Sequence, residues 1–222
     1  MENQDTAPLF EILKTKGELK DKVYHNTLEA FSRICFAAEK IARQCPFQEE
    51  HLKIEFLRQS AFESELFFAG DALVFLMHTN IFEFSRDHEV MRTPYIREDK
   101  DRSYCGVIHI YNFLSDSFKY NRYNDLGYLI GRIFVNKDMH YFIEGKREVG
   151  ILYPSFGTEE LDESAAFRIV SGAMTYAINF DLLTPPFDEV KIVNAGAIRD
   201  YSESSRLVTA KRLGFRFQAD KD

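Results

Sequence analysis

Tryptophan is absent, there are only three cysteines, and no apolar run approaches the ~18 residues of a membrane-spanning helix. Each gap excludes something. Without tryptophan the aromatic bulk must come from 21 Phe and 11 Tyr. The phenylalanines then supply much of the core volume, and the tyrosine hydroxyls need partners or an exposed edge. Cys35, Cys45 and Cys105 are odd in number and widely spaced, with no CxxC pair. No disulfide framework and no zinc site of paired cysteines follows from them. With the polar start MENQDTAP they indicate a reducing, cytoplasmic setting.

An excess of positive charge is also missing. Lys and Arg total 28 against 35 Asp and Glu, a formal charge of −7. This argues against general capture of nucleic acid or of an anionic membrane. The chain lacks a phosphate-binding glycine loop, a dinucleotide fingerprint, a nucleophile elbow and a zinc-binding motif. No cofactor is implied. The six histidines show no HxH or HxxxH spacing, so no metal site is read from them.

What is present is enough apolar material for a core, 45% of 222 residues, without disulfides or a structural metal. A single α+β domain over 1–222 is the expectation. Residues 1–17 form a tail and a short helix, capped by Thr6 and ended by Gly17. Residues 18–44 form an amphipathic helix, because Leu19, Val23, Ala30, Phe31, Ile34, Ala37, Ala38 and Ile41 recur at steps of three and four. Pairs such as Glu29/Arg33 and Glu39/Arg43 lie along its outer side at i,i+4.

From 51 to 153 the period shortens to two. A mainly antiparallel meander of about six strands is predicted. It contains 52–56, a strand around Phe62 to Phe68, 72–84 after a Gly70-Asp71 turn, 105–114, and a hairpin of Leu126–Val135 with 139–147. In CGVIHIYNFL both faces are apolar, so the sheet must be covered on two sides or curl around a cavity. Residues 158–217 read as helix–strand–helix–strand, with Thr158 or Asp162 capping the first helix and a strand at Val190–Val193.

Two long connections interrupt the sheet. Residues 85–103 either fold down as a lid or form an exposed link. Residues 115–125 interleave aromatic and basic groups, as base-stacking surfaces do, but without a basic domain around them.

Four constellations carry candidate chemistry. On the hairpin arm, His140, Glu144 and Lys146 share one strand face. Glu144-Gly145-Lys146 has the E-x-K form of metal-dependent nucleases, with Asp125 or Asp138 as a second carboxylate. The competing reading is a cross-strand pair of Glu144 with Arg132. In the strands, His78 and His109, with Tyr111, either sit in the core or line one cavity. In the second loop, Arg122 and Tyr123 either meet a ligand or anchor the loop. Cys105 and His109 share a face but stand about 13 Å apart, too far for a nucleophile and its base.

Three functions fit. The first is a non-catalytic module binding a small ligand or a protein partner, with 85–103 and 115–125 as its rim. The second is a nuclease or hydrolase acting through Glu144, Lys146 and a neighbouring acid. The third is a structural subunit of a larger complex.

Overall fold

The computed structural model describes residues 6–47, 49, 51–122, 124–145, 156–180 and 186–196. One helix, α1 (Ala7–Gln44), opens the chain. It runs straight through Gly17, so the short helix expected before that glycine and the long one after it are a single element. A mid-helix glycine costs roughly 1 kcal/mol. The flanking turns tolerate this, and Gly17 has open space where a side chain would project. From Leu19 to Ala38 the stripe of Val23, Thr27, Ala30, Phe31 and Ile34 is buried. Before it, Leu9, Phe10, Ile12 and Leu13 are exposed.

The sheet contains β1 (Glu55–Arg58), β2 (Glu63–Phe68), β3 (Asp71–Met77), β4 (Phe82–Glu83), β5 (Tyr104–Leu114), β6 (Tyr128–Asn136) and β7 (Tyr141–Gly145). Every pairing is antiparallel and the spatial order is β1-β2-β3-β5-β6-β7, with short β4 alongside β5. This is the predicted meander. The β2–β3 turn sits on Ala69 and Gly70, both in the left-handed region, which Gly70 adopts without a Cβ penalty. The expected strand 72–84 is interrupted: β3 stops at Met77, and β4 resumes the pairing only at Phe82.

β6 carries a bulge. Ile110 pairs with Gly131, but Tyr111 pairs with Leu129, leaving Ile130 as the extra residue. Ile130 turns into the core and is 1% exposed.

A second long helix, α4 (Glu163–Asn179), follows, with two short ones before it, α2 (Pro94–Glu98) and α3 (Ser115–Lys119). The Asp162 carboxylate caps α4 by accepting from the Ala165 amide at 2.7 Å. Helices α1 and α4 lie on the same face of the sheet. They bury Leu66, Leu73, Phe75, Ile108, Ile110, Ile133 and Ile143 against Phe31, Ile34, Ile169 and Ala173. α1 approaches β5 most closely at Gly106, where an added Cβ would lie 2.0 Å from the Thr27 hydroxyl. Among the described residues no helix is long and apolar enough to cross a membrane.

The strand expected at Val190–Val193 does not form. Phe187–Val190 is a helical turn instead, entered from Pro186, and 191–194 are irregular. Four residues, three of them apolar, are too few for alternation to decide between the two, and proline stands at the entry of the helical turn. The expected strand at 149–153 and the elements expected at 202–217 lie outside the described residues.

Candidate functional site

Of the sheet's two faces, the one away from α1 and α4 is covered only in part. At the end where β5 begins, residues 84–103 fold flat onto it. They are built from two 3-10 turns, Glu89–Arg92 and Lys100–Ser103, on either side of α2. Phe84, Val90, Met91, Tyr95 and Ile96 pack on Cys105, Val107, Phe134, Phe142 and Phe156. Phe134 and Phe142 stack with their rings 4.9 Å apart. The segment is therefore a cover and not an exposed link.

The β6–β7 turn fastens this cover. Asn136 is fully buried, and its side-chain oxygen accepts from the amides of Asp138 and His140. Its side-chain amide donates to the Tyr95 hydroxyl at 2.9 Å. That hydroxyl donates in turn to Asp138 Oδ2 at 3.2 Å, and Arg102 Nε donates to the same oxygen at 3.0 Å. Lys137 pairs with Asp99 at 2.6 Å, a contact that holds the Asp99 carboxyl below its ordinary value. The Arg102 guanidinium lies 4.3 Å over the Tyr95 ring. Burial, with Asp138 alongside, pushes the Tyr95 phenol up to about 12, against the lowering pull of the Asn136 hydrogen bond. Gly157 leaves the room that Tyr95 fills, for a Cβ there would be 2.5 Å from the ring.

At the other end of β5, α3 folds over the same face. Phe118 meets Phe67 at 5.8 Å and Phe113 at 5.4 Å, edge to face. Asp125 accepts from Ser117 Oγ at 2.7 Å and lies 3.1 Å from Arg122 Nε. The Arg122 contact is close enough for an ion pair but off the hydrogen-bond direction, so Nε and Nη2 remain buried without a hydrogen bond. Asp125 and Arg122 thus brace the loop and are remote from Glu144. The aromatic–basic loop is anchored through Phe118 rather than splayed out.

Between the two covers lies a partly open floor made of two cross-strand rows, in which Glu65 and Val74 are buried. One row is Leu57, Glu65, Val74, Tyr111 and Leu129. The other is Glu63, Leu76, His109, Arg132 and Glu144. Leu57 and Leu129 are about two-fifths exposed. His109 and Tyr111 are half-buried, and the Tyr111 hydroxyl sits 3.3 Å from His109 Nδ1. His78 follows β3 and hydrogen-bonds through its backbone amide to the Val107 carbonyl at 2.9 Å. This places its ring 5.2 Å from that of His109. Burial lowers the His109 pKa, and His78 and Arg132 lower it further, so its imidazole is neutral at pH 7.

The hairpin arm keeps its predicted alternation but loses its constellation. His140 lies under the cover, its ring 5.3 Å from that of Tyr95, and its Nδ1 is buried without a partner. Glu144 lies out on the open floor, paired across the strands with Arg132. Among the described residues no group of three or more His, Cys, Asp or Glu is placed to hold a metal. Lys146 and Tyr123 lie outside the described residues. Cys105 is buried under the cover, which pushes its thiol up and leaves it protonated at neutral pH.

The structure brings together His78, His109 and Tyr111, which the sequence grouped, and sets beside them Leu57, Leu76 and Leu129, which it did not. Sequence reasoning also missed Tyr95 and Arg102 as the fastening. Strand alternation from His109 would have found Leu76 and Arg132 once the register was known. No local signal marks Tyr95. Comparison of this chain with protein-family models, with curated proteins and with solved structures gives no match.

Proposed function

We propose that this chain is a non-catalytic binding module that takes a small ligand onto the open floor between residues 84–103 and α3. The observation that carries this reading is the pair of half-buried polar rings, His109 and Tyr111, on the face of β5 that otherwise carries Cys105, Val107 and Phe113. A mixed apolar and polar floor with a few fixed hydrogen-bonding groups is the usual lining of a small-molecule site.

Size favours a small ligand over a folded partner. Val107 and Phe113, one under each cover, are about 20 Å apart at a rise of about 3.4 Å per residue. Six strands at a spacing of about 4.8 Å span about 24 Å. The floor is therefore at most roughly 500 Å², less than the about 800 Å² per side of a standard protein interface. The three cysteines are free, two of them buried, which supports a reducing compartment such as the cytoplasm.

The test is a nuclear magnetic resonance screen of isotope-labelled protein in chelator-containing buffer. The panel is a set of heteroaromatic and carboxylate-bearing small molecules. Amide shifts are expected at residues 74–76, 109–111 and 129–132. Shifts confined to other surfaces across the panel would overturn the reading.

A further inference from the structure

We propose that His78 and His109 form a two-imidazole site for a divalent transition-metal ion, with the remaining coordination positions open to water and an incoming ligand. This deepens the binding reading above by naming one occupant of the floor.

The argument is geometric. Two imidazoles on one tetrahedral ion, each nitrogen about 2.0–2.1 Å from it, hold their ring centroids roughly 5 Å apart. The His78 and His109 centroids are 5.2 Å apart. Their planes are near perpendicular, and the His78 ring also meets Phe82 edge to face at 5.3 Å.

A second observation concerns the other nitrogen. A ligating histidine characteristically gives its second ring N–H to an oxygen, which fixes the tautomer. Here the Tyr111 hydroxyl sits 3.3 Å from His109 Nδ1. With Nδ1–H donated to Tyr111, Nε2 carries the lone pair. Both histidines are also fixed at their backbones. His109 is the sixth residue of eleven-residue β5, and the His78 amide is tied to the Val107 carbonyl.

Donor type sets the ion. Two neutral nitrogens favour Cu²⁺, then Ni²⁺ and Zn²⁺, and offer nothing to Mg²⁺ or Ca²⁺. Glu63 and Glu144 end the row, each two strands from His109; Glu144 is held by Arg132, and among the described residues neither completes a three-residue metal cluster, so neither is counted as a ligand. Two protein ligands leave the ion exchangeable, which suits a site where a ligand completes the coordination.

The experiment titrates the tag-free, metal-free protein with Zn²⁺, Ni²⁺ and Cu²⁺ salts alone, with no screening compound present. Calorimetry should give one ion per chain, with Mg²⁺ giving no heat. The wild-type imidazole resonances of His78 and His109 should move with Zn²⁺, while those of His25, His51, His88 and His140 stay. His78→Gln and His109→Gln should each lower affinity at least tenfold, and Tyr111→Phe by a smaller factor. Ring resonances of other histidines moving instead, or both substitutions leaving affinity unchanged, would overturn the proposal. The resonance experiment uses only wild-type protein, so a variant that fails to fold does not remove the test. Because the small-molecule screen runs in chelator and this titration runs without compounds, either reading can fail alone.

Discussion

The Asn136 side chain bonds in two directions at once: its oxygen accepts from the Asp138 and His140 amides, and its nitrogen donates to the Tyr95 hydroxyl. One buried amide therefore shapes the β6–β7 turn and ties the cover to it. The turn is less a link between two strands than the point where residues 84–103 are held to the sheet.

Tyr95→Phe keeps the ring on Phe156 and His140 but removes the hydroxyl, stranding the Asn136 donor. A buried group left unpaired costs about 1–3 kcal/mol. Urea unfolding should show a loss in that range. Hydrogen exchange should quicken most across residues 90–103, and in β3 and α4 by no more than the global loss.

The same residue gives a pH dependence. An unfolded tyrosine loses its proton near 10, whereas folded Tyr95 keeps its proton up to about 12. Between those values the unfolded chain binds fewer protons than the folded one, so stability falls as pH rises. Below pH 10 both forms are neutral and the effect vanishes. The stability gap between wild type and Tyr95→Phe should narrow from pH 9 to pH 11. A gap that stays constant would show that the phenol does not titrate differently on folding.

Gly106→Ala places a methyl group into the Thr27 side chain, whose Oγ1, Cγ2 and Cβ would lie 2.0–2.7 Å away. Overpacking of this kind costs about 1–3 kcal/mol. Thr27→Ala in the same chain removes the clashing hydroxyl and methyl groups but keeps the Cβ at 2.7 Å, and should recover part of the loss. A double-mutant cycle measured by thermal unfolding reads the coupling. Simple additivity would place the helix–strand contact elsewhere.

Glu144→Gln should change little. Its pair with Arg132 is about half exposed on both sides. Such pairs contribute about 0–1 kcal/mol, and salt screens them further. The expected result is a small loss in low salt that fades in high salt. A loss above that range would mean that the carboxylate does more on the floor than balance Arg132.

The strands and long helices were legible because their signals are local. Leu19, Val23, Phe31 and Ile34 recur at helical spacing, and β5 alternates around His109 and Tyr111. Alternation also put His140 and Glu144 on one face correctly. It could not show that Tyr95 covers His140 while Glu144 stays open, because that depends on contacts dozens of residues away. The cover itself was legible only as a long, charged connection. Its turns are too short for periodicity, and Ile96 is buried by residues 105, 107 and 134. The bulge at Ile130 leaves no mark in a run that reads apolar in either phase. The expected strand at 190–193 failed for the opposite reason, a local pattern too brief to outweigh the turn that Pro186 begins.

α1 and α4 lean on one face of the sheet only, so the other face answers to different demands. Substitutions at Leu57, Leu76 or Leu129 change what the floor offers without reaching Phe31 or Ile169. Point mutation can therefore reshape the floor while the scaffold drifts separately. An insertion or deletion near Ile130 is different in kind. It exchanges the inward and outward residues at that end of β6, and so alters the core and the floor in a single step.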